Sequence, residues 1–169
     1  MQAALLEARD ARGALLLAHR PPAGSALLAI SLAIPGEEKE PPGALELFTW
    51  ALAQALARLP GARPLHSGGD ALGPFGLLLV AAPAEEVKRA CLALEEARPA
   101  ARLLDLDVYQ EDGRQLDRAA LGLPPRACLC CPAPAHECIR AVRHPRPEVQ
   151  ARAAALLGGH REAGAPRAG

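Results

Sequence analysis

The 169-residue sequence predicts an α+β fold with a ferredoxin-like βαββαβ core, preceded by a helix and followed by a Cys-rich segment and a last helix. Two observations predict this class. Short apolar runs bounded by Gly and Pro, typical of buried strands, alternate with longer segments whose apolar residues recur at helical spacing. In chain order these segments follow one another as strand, helix, strand, strand, helix, strand. A mixed sheet of the nucleotidyltransferase kind is the alternative.

The first predicted element is a helix at residues 2–19, where leucines share one side and charges the other, and the Pro21-Pro22 pair ends it. Residues 26–34 are a short apolar run and therefore predict a buried strand. From residue 43 to residue 59, apolar side chains recur at helical spacing until Pro60-Gly61 stops the pattern. This segment predicts the second helix.

A hairpin and a third helix follow. Residues 63–67 predict a short strand, residues 68–70 a turn, and the apolar run at 75–81 a buried strand. Pro83 stands at a favourable helix start, and the helix that it begins ends before Pro99.

The last strong strand signal covers residues 102–110. A turn at 111–113 leads from it into a short strand at 114–117, which predicts a hairpin. After Leu123 the sequence becomes rich in Pro and Cys, and a final helix is expected at about 147–157. We therefore predict one domain, divided into an α+β core at 1–123, a Cys/Pro-rich segment with the last helix at 124–157, and a flexible tail at 158–169.

The composition argues against several kinds of partner. Lys and Arg together number 19, as do Asp and Glu, and aromatic residues make up only 2% of the chain. Zero net charge and few rings argue against nucleic-acid binding. The apolar runs are too short to cross a membrane, and charges interrupt the first twenty residues, so we expect a cytoplasmic protein without an export signal.

An acidic pair stands on the strand at 102–110. Asp105 and Asp107 alternate with apolar residues, so both carboxylates lie on one face of the strand, roughly 7 Å apart. A divalent cation would offset their repulsion, and Mg²⁺ prefers such oxygen ligands and also holds substrate phosphates. The pair predicts metal-dependent nucleotidyl or phosphoryl transfer. The alternative is a solvated acidic face without a ligand.

A polyphosphate substrate also needs cations near these carboxylates. Arg102 opens the acidic strand and Arg126 follows it, while Lys39 lies in the loop after the first strand, beside Gly36. Arg9 on the first helix is a further candidate. Each of the four could equally be an ordinary surface cation.

The Cys-rich segment carries the pattern of a zinc site. Three thiols and one imidazole lie within seventeen residues, at Cys128, Cys131, Cys138 and His144. Such a set can close a tetrahedral Zn²⁺ site, which would organise a Pro-rich stretch that has few apolar residues of its own. His136 is an alternative fourth ligand, and reduced cysteines without a metal are the other interpretation.

Taken together, these motifs resemble one family. The segments are Arg102-Leu-Leu-Asp-Leu-Asp-Val, Asp112-Gly113, Leu121-Gly-Leu-Pro-Pro-Arg-Ala-Cys-Leu-Cys-Cys131 and Ala135-His-Glu-Cys138. They look like the holo-(citrate lyase acyl carrier protein) synthases, also called apo-citrate lyase phosphoribosyl-dephospho-CoA transferases. The similarity is strongest over residues 95–144 and reaches back, more weakly, through residues 6–12.

The resemblance implies an activity. The family transfers phosphoribosyl-dephospho-CoA from triphosphoribosyl-dephospho-CoA to a serine of the apo-citrate lyase acyl carrier subunit and releases pyrophosphate. On this basis Asp105 and Asp107 would hold Mg²⁺, while phosphate would be bound by Arg102, Arg126, Lys39 and Arg9. Two other functions stay open: the same chemistry on another carrier, such as that of malonate decarboxylase, and a zinc-stabilised interaction module without catalysis.

The sequence departs from the family pattern at two positions. Arg98 stands where the family usually has His, and Phe75 replaces the acid of a Gly-Pro-Glu-Gly-like turn. Glu95 or Asp117 could supply a third carboxylate. Because carrier subunits are acidic, we also expect a basic docking face, formed by Arg140, Arg143 and Arg146.

Overall fold

The computed structural model describes residues 2–164. The strands are β1 (Ala26–Leu32), β2 (Arg63–Asp70), β3 (Gly73–Val80), β4 (Leu104–Tyr109) and β5 (Gln115–Leu116). The α-helices are α1 (Gln2–Ala18), α2 (Ala44–Arg58), α3 (Ala84–Glu95), α4 (Ala135–Arg140) and α5 (Arg146–Gly164). Within this range, no helix is both long enough and apolar enough to span a bilayer.

One antiparallel sheet organises the molecule. Its strands lie in the order β2-β3-β1-β4-β5, and all of the pairings are antiparallel. The predicted chain order of strand, helix, strand, strand, helix, strand is confirmed, with β5 added at one edge. The alternative of a mixed sheet is therefore wrong.

The two faces of the sheet carry different layers. On the first face the main core is buried between the sheet and the helices α2, α3 and α5. On the second face Leu27, Ala29, Phe75 and Leu77 are buried, with Leu15 and Leu16 of α1 packed against them. The alternation of side chains along each strand explains how both faces bury apolar residues.

Helix α1 is fastened to the sheet by one arginine. Arg12 donates to both carboxylate oxygens of Asp70, at 2.8 and 2.7 Å, and to the carbonyl of Gly73 at 2.7 Å. Its guanidinium also lies 4.5 Å from the centre of the Phe75 ring. These contacts hold α1 over β2 and β3.

Most of the backbone carbonyls on the outer edge of β4 accept hydrogen bonds from side chains. The carbonyl of Leu103 faces inward and accepts from Ala33 at 2.8 Å, so the even-numbered carbonyls face outward. Strand β5 pairs only with Val108 and Tyr109. Along the rest of the edge, Arg126 donates to the carbonyls of Arg102 and Leu104, and Lys88 donates to that of Leu106.

Two boundaries differ from the prediction. Residues 68–70 continue β2 instead of forming a turn, because both glycines pair with β3 and the turn falls at Ala71-Leu72. The N–H of Leu72 donates to Asp70 at 2.8 Å and stabilises that turn. The acidic strand opens at Leu104 and not at Arg102, because Pro99–Leu103 forms a 3-10 helix with Pro at its start.

The last helix is longer than predicted. It continues past Leu157 to Gly164, because Leu156 and Leu157 are buried and His160 packs edge-on against Trp50. The predicted tail at 158–169 overlaps α5 up to Gly164, and its residues 165–169 lie outside the described range. Helix α4 was not predicted. The division of the chain at residue 123 stays a prediction.

Candidate functional site

The acidic pair lies at the open edge of β4. As predicted, Asp105 and Asp107 share one face, since the residues of this strand alternate between buried and half-buried. They are directly opposite Ser31 and Ala29 of β1. Both carboxylates line a cavity of about 510 Å³, whose other charged or amide side chains are Lys88, Glu95, Gln115, Asp117, Arg118 and Arg126.

Asp107 is the electrostatically strained member of the pair. Burial, and after it the negative charge of Asp105, raises the pKa of Asp107 to about 6, while Lys88 opposes the shift. Gln115 of β5 donates from Nε2 to Oδ1 of Asp107 at 2.5 Å. A bound cation would offset both the burial of this charge and the repulsion from Asp105, and carboxylate oxygens are ligands that divalent ions such as Mg²⁺ prefer.

Lys88 is a site residue that the sequence interpretation missed. Its side chain is only 6% exposed, and Nζ donates to the carbonyl of Leu106 at 2.8 Å. A signal was present in the sequence: Lys88 stands on the same face of α3 as the buried Ala84, Val87 and Cys91. A lysine within an apolar helix stripe indicates either a functional charge or a structural one.

Both of the carboxylates considered as third ligands line the same cavity. Glu95 is buried and forms an ion pair with Arg118, with Nη2 and Oε2 2.5 Å apart. Asp117 is exposed, and its Oδ1 accepts from the N–H of Ala120 at 2.8 Å. Because the carboxylate of Glu95 already has a cationic partner, Asp117 is the freer of the two.

Two of the predicted phosphate-binding arginines lie at this edge. Arg126 lines the acidic cavity and is held by the carbonyls of Arg102 and Leu104. Arg102 does not line that cavity but lines the two adjoining ones, and it donates to the carbonyl of Cys128, which links the 3-10 helix to the Cys-rich segment. A guanidinium that is bonded to neutral carbonyls keeps its full charge and is fixed in direction.

The other two predicted cations lie elsewhere. Lys39 donates from Nζ to the carbonyl of Ile34 at 3.0 Å, within its own loop. Arg9 is exposed on α1. Neither residue lines the cavity of the acidic pair, and their roles stay predictions.

The Cys-rich segment folds into a compact cluster of possible metal ligands. The ligand atoms of Cys128, Cys131, Cys138 and His144 all lie within 4.8 Å of one another, which is the set predicted from the spacing. The sulfur of Cys131 is 3.5 Å from that of Cys138 and 3.3 Å from Nε2 of His144. Ligands of a tetrahedral zinc ion stand about 3.3–3.8 Å apart, so the cluster fits such an ion.

Contacts around this cluster are also those of a metal site. Oε1 of Glu148 lies 3.2 Å from Nδ1 of His144, so the carboxylate can orient the imidazole with Nε2 toward the thiols. Burial raises the pKa of the Cys128 thiol, but hydrogen bonds from the N–H groups of Cys130 and Cys131 outweigh that effect and lower it. Glu148 was not foreseen, although it lies four residues after His144.

Both departures from the family pattern have structural roles. The guanidinium of Arg98 stacks 3.9 Å from the centre of the Trp50 ring and lies 3.0 Å from Nδ1 of His160. Phe75 is buried on the second face of the sheet beneath Arg12. Replacing an acid by Phe at position 75 therefore adds apolar packing under α1.

Comparison with known proteins identifies the family. A sequence profile described as apo-citrate lyase phosphoribosyl-dephospho-CoA transferase matches residues 2–159. The chain is 34% identical over 153 residues to a protein of that description from Shigella flexneri serotype 5b (strain 8401), an alignment that covers 88% of this chain and 82% of the relative.

Two further relatives of the same description match a shorter part. The proteins of Escherichia coli O139:H28 (strain E24377A / ETEC) and Escherichia coli O8 (strain IAI1) are 42% identical to this chain over 88 residues. Those alignments cover 52% of this chain and 48% of each relative, so there the match spans about half the length of the relatives. Because the profile and the Shigella relative both match across most of the sequence, the chain belongs to the apo-citrate lyase phosphoribosyl-dephospho-CoA transferase family.

Proposed function

We propose that this chain transfers phosphoribosyl-dephospho-CoA from its triphosphoribosyl precursor to a serine of the apo-citrate lyase acyl carrier subunit. The observation that carries the proposal is the cavity at the β4 edge, where Asp105 and Asp107 face the same space as Arg118 and Arg126. Paired carboxylates beside arginines are the arrangement that a metal-bound polyphosphate requires. Membership of the family supports the same reaction.

The reaction is a substitution at phosphorus. The serine oxygen of the carrier bonds to the phosphorus nearest the ribose, the bond from that phosphorus to the leaving pyrophosphate breaks, and the serine proton leaves to water. No nucleophile from this chain is needed. The residues of the cavity bind the triphosphate, orient it for in-line attack and stabilise the charge that develops on pyrophosphate.

Asp105 and Asp107 are the residues that would hold Mg²⁺, and the raised pKa of Asp107 supports this assignment. When bound, Mg²⁺ would neutralise charge on the triphosphate and on the leaving group. Arg126 and Arg102 are fixed at the sheet edge by carbonyl groups. Arg126 would contact oxygens of the triphosphate, and Arg102, which lines the adjoining cavity, would contact those of another phosphate of the donor. Lys39 and Arg9 are kept as weaker candidates for the same role.

Zn²⁺ at Cys128, Cys131, Cys138 and His144 has a structural part in this proposal. Four protein ligands would fill a tetrahedral ion and leave no position for substrate. The cluster is linked to the catalytic edge by the hydrogen bond from Arg102 to the carbonyl of Cys128. Zinc would thus stabilise the segment that positions Arg102.

The carrier subunit would dock on a basic face formed by Arg140, Arg143 and Arg146, all of which are exposed. Two apolar side chains stand among them, with Ile139 77% exposed and Val142 79% exposed. Val142 has a φ of +46°, which is strained for a β-branched residue. Exposed apolar side chains that alternate along the chain with exposed cations suit an acidic protein partner.

We also class the core as ferredoxin-like. The order β2-β3-β1-β4, with helices α2 and α3 as the two crossovers, supports that assignment. In this arrangement the acidic pair lies on β4, beside the central strand β1.

The decisive experiment is a transfer assay. Apo-citrate carrier, triphosphoribosyl-dephospho-CoA and Mg²⁺ are incubated with the protein, and the carrier is weighed by mass spectrometry. We expect the carrier to gain the mass of the prosthetic group, and Asp105→Ala to abolish the gain while the circular dichroism spectrum is unchanged. A mass gain on a malonate decarboxylase carrier, with none on the citrate lyase carrier, would show that the acceptor is the malonate decarboxylase carrier. Absence of gain on both carriers, with one tightly bound zinc ion per chain, would instead support an interaction module.

A further inference from the structure

Three neighbouring cavities share lining residues, and together they are here called the groove. The acidic cavity shares Arg118 and Arg126 with a middle cavity of about 700 Å³. The middle cavity in turn shares Arg102 and Arg152 with a third cavity, of about 520 Å³, beside the Cys cluster. The space at the acidic pair is therefore one end of a longer site.

The middle cavity is strongly cationic. Its lining contains five arginines and only two glutamates, although the whole chain has a formal net charge of zero. The arginines are Arg98, Arg102, Arg118, Arg126 and Arg152. Such a local excess of one charge in a concave surface attracts anions.

Most of these arginines are already fixed in position. Arg118 is paired with Glu95, and Arg98 stacks on Trp50. Arg102 and Arg126 both donate to backbone carbonyls. Arg152 differs from them: it is exposed on α5 and has no hydrogen bond or ion pair within residues 2–164. The cavity thus holds preorganised positive charge and one guanidinium that is free to contact a ligand.

We propose that Arg98, Arg102 and Arg152, here called the arginine pocket, bind the diphosphate of the dephospho-CoA part of the donor. This inference rests on the proposed function. The donor contains two separate phosphate groups: the triphosphate that is attacked and the diphosphate that joins adenosine to the pantetheine arm. The acidic pair suits a metal-bound triphosphate, whereas the arginine pocket lies away from it and can bind a diphosphate without a metal.

Binding of dephospho-CoA itself tests the pocket, because that molecule carries the diphosphate and lacks the triphosphate. Isothermal titration calorimetry without Mg²⁺ would compare the full-length wild-type chain with Arg152→Ala and Arg152→Lys. The matched control is Arg89→Ala, since Arg89 is exposed on α3 and does not line the groove. Replacing these exposed arginines leaves the core intact, which circular dichroism and the melting temperature verify.

We expect Arg152→Ala to weaken dephospho-CoA binding about tenfold or more, as loss of a charge-assisted hydrogen bond does. Arg152→Lys should recover part of the affinity, and Arg89→Ala should bind as the wild type does. In the transfer assay, Arg152→Ala should raise KM for the donor and leave kcat little changed, because the contact is remote from the reacting phosphorus.

Inorganic triphosphate with Mg²⁺ serves as the second probe. If Arg152→Ala weakens binding of triphosphate and leaves that of dephospho-CoA unchanged, the pocket binds the other end of the donor and the inference is wrong. Transfer by the wild type, together with unaltered dephospho-CoA affinity in Arg152→Ala, overturns the pocket but not the proposed function. Weakened dephospho-CoA binding in Arg152→Ala, with no transfer by the wild type, overturns the function but not the pocket.

Discussion

Replacing Asp107 by Asn should make the protein more stable and abolish its activity. The pKa of Asp107 is raised from 3.8 to about 6 in the folded chain, first by burial and then by Asp105. A folded-state pKa above the unfolded value means that the ionised group destabilises the fold. The stability that protonated Asp107 provides is complete below pH 4 and is lost as the pH rises through about 6.

The size of the effect follows from the shift. About two pH units correspond to roughly 3 kcal/mol, and partial exposure of the carboxylate reduces this to about 1–3 kcal/mol at neutral pH. Asn keeps an oxygen that can accept from Gln115, so the substitution removes the charge and preserves the local hydrogen bond. At about 2–4 °C per kcal/mol for a chain of this size, the melting temperature should rise by several degrees.

Differential scanning calorimetry across pH 4–8 and the transfer assay would measure the two effects. We expect a higher melting temperature at neutral pH, a weaker pH dependence between 4 and 6, and at least about a hundredfold loss of turnover. Mg²⁺ should stabilise the wild type and not Asp107→Asn. Asp112→Asn, in an exposed turn, is the matched control and should change neither property. A destabilised Asp107→Asn protein, or one that retains turnover, would refute the reasoning.

The remaining predictions concern the metal cluster, helix α1 and the docking face. Cys131→Ser should lose the zinc ion, as measured by plasma mass spectrometry, and should have a lower melting temperature than the wild type. Cys130→Ser should keep the zinc content and the melting temperature of the wild type. A wild-type protein that is fully stable without metal would contradict the site. Arg12→Ala should reduce the free energy of unfolding in urea by about 1–2 kcal/mol, because it removes a bidentate ion pair with Asp70 and a hydrogen bond to the carbonyl of Gly73. An unchanged urea midpoint would show that Arg12 does not hold α1 on the sheet. Arg143→Glu should raise KM for the carrier and not for the nucleotide donor, and equal effects on both would place the docking surface elsewhere.

The sequence was a good guide to the five strands and the four longer helices because each of them has a local signal. The strand at β4 could be predicted from alternating Asp and apolar residues, and its two faces follow from that alternation. The metal cluster followed from Cys and His spacing, because ligands that are close in sequence are easily brought together. Boundaries were less predictable where tertiary contacts decide them, as for the glycines of β2 that pair with β3 and for α5, whose end packs on Trp50.

The site was harder to predict because its residues come from distant segments. Lys88 on α3 meets β4, and Arg152 on α5 meets Arg102 and Arg126, only in the folded chain. No short-range sequence pattern predicts these contacts, although the position of Lys88 on an apolar helix face is a clue to its role. Lys39 was chosen because it lies in the loop after the first strand, beside Gly36, and in the structure its ammonium group donates to the carbonyl of Ile34 in that loop.

The side chains that cover the outer edge of β4 also guard against self-association. A strand edge with free carbonyl groups is a template on which a second chain can add a strand. Here Lys88 and Arg126 occupy those acceptors, and their charges repel an identical incoming edge. The same cations that line the acidic cavity would thus keep this edge from recruiting a second chain, and a variant that lacks Arg126 should be aggregation-prone as well as inactive.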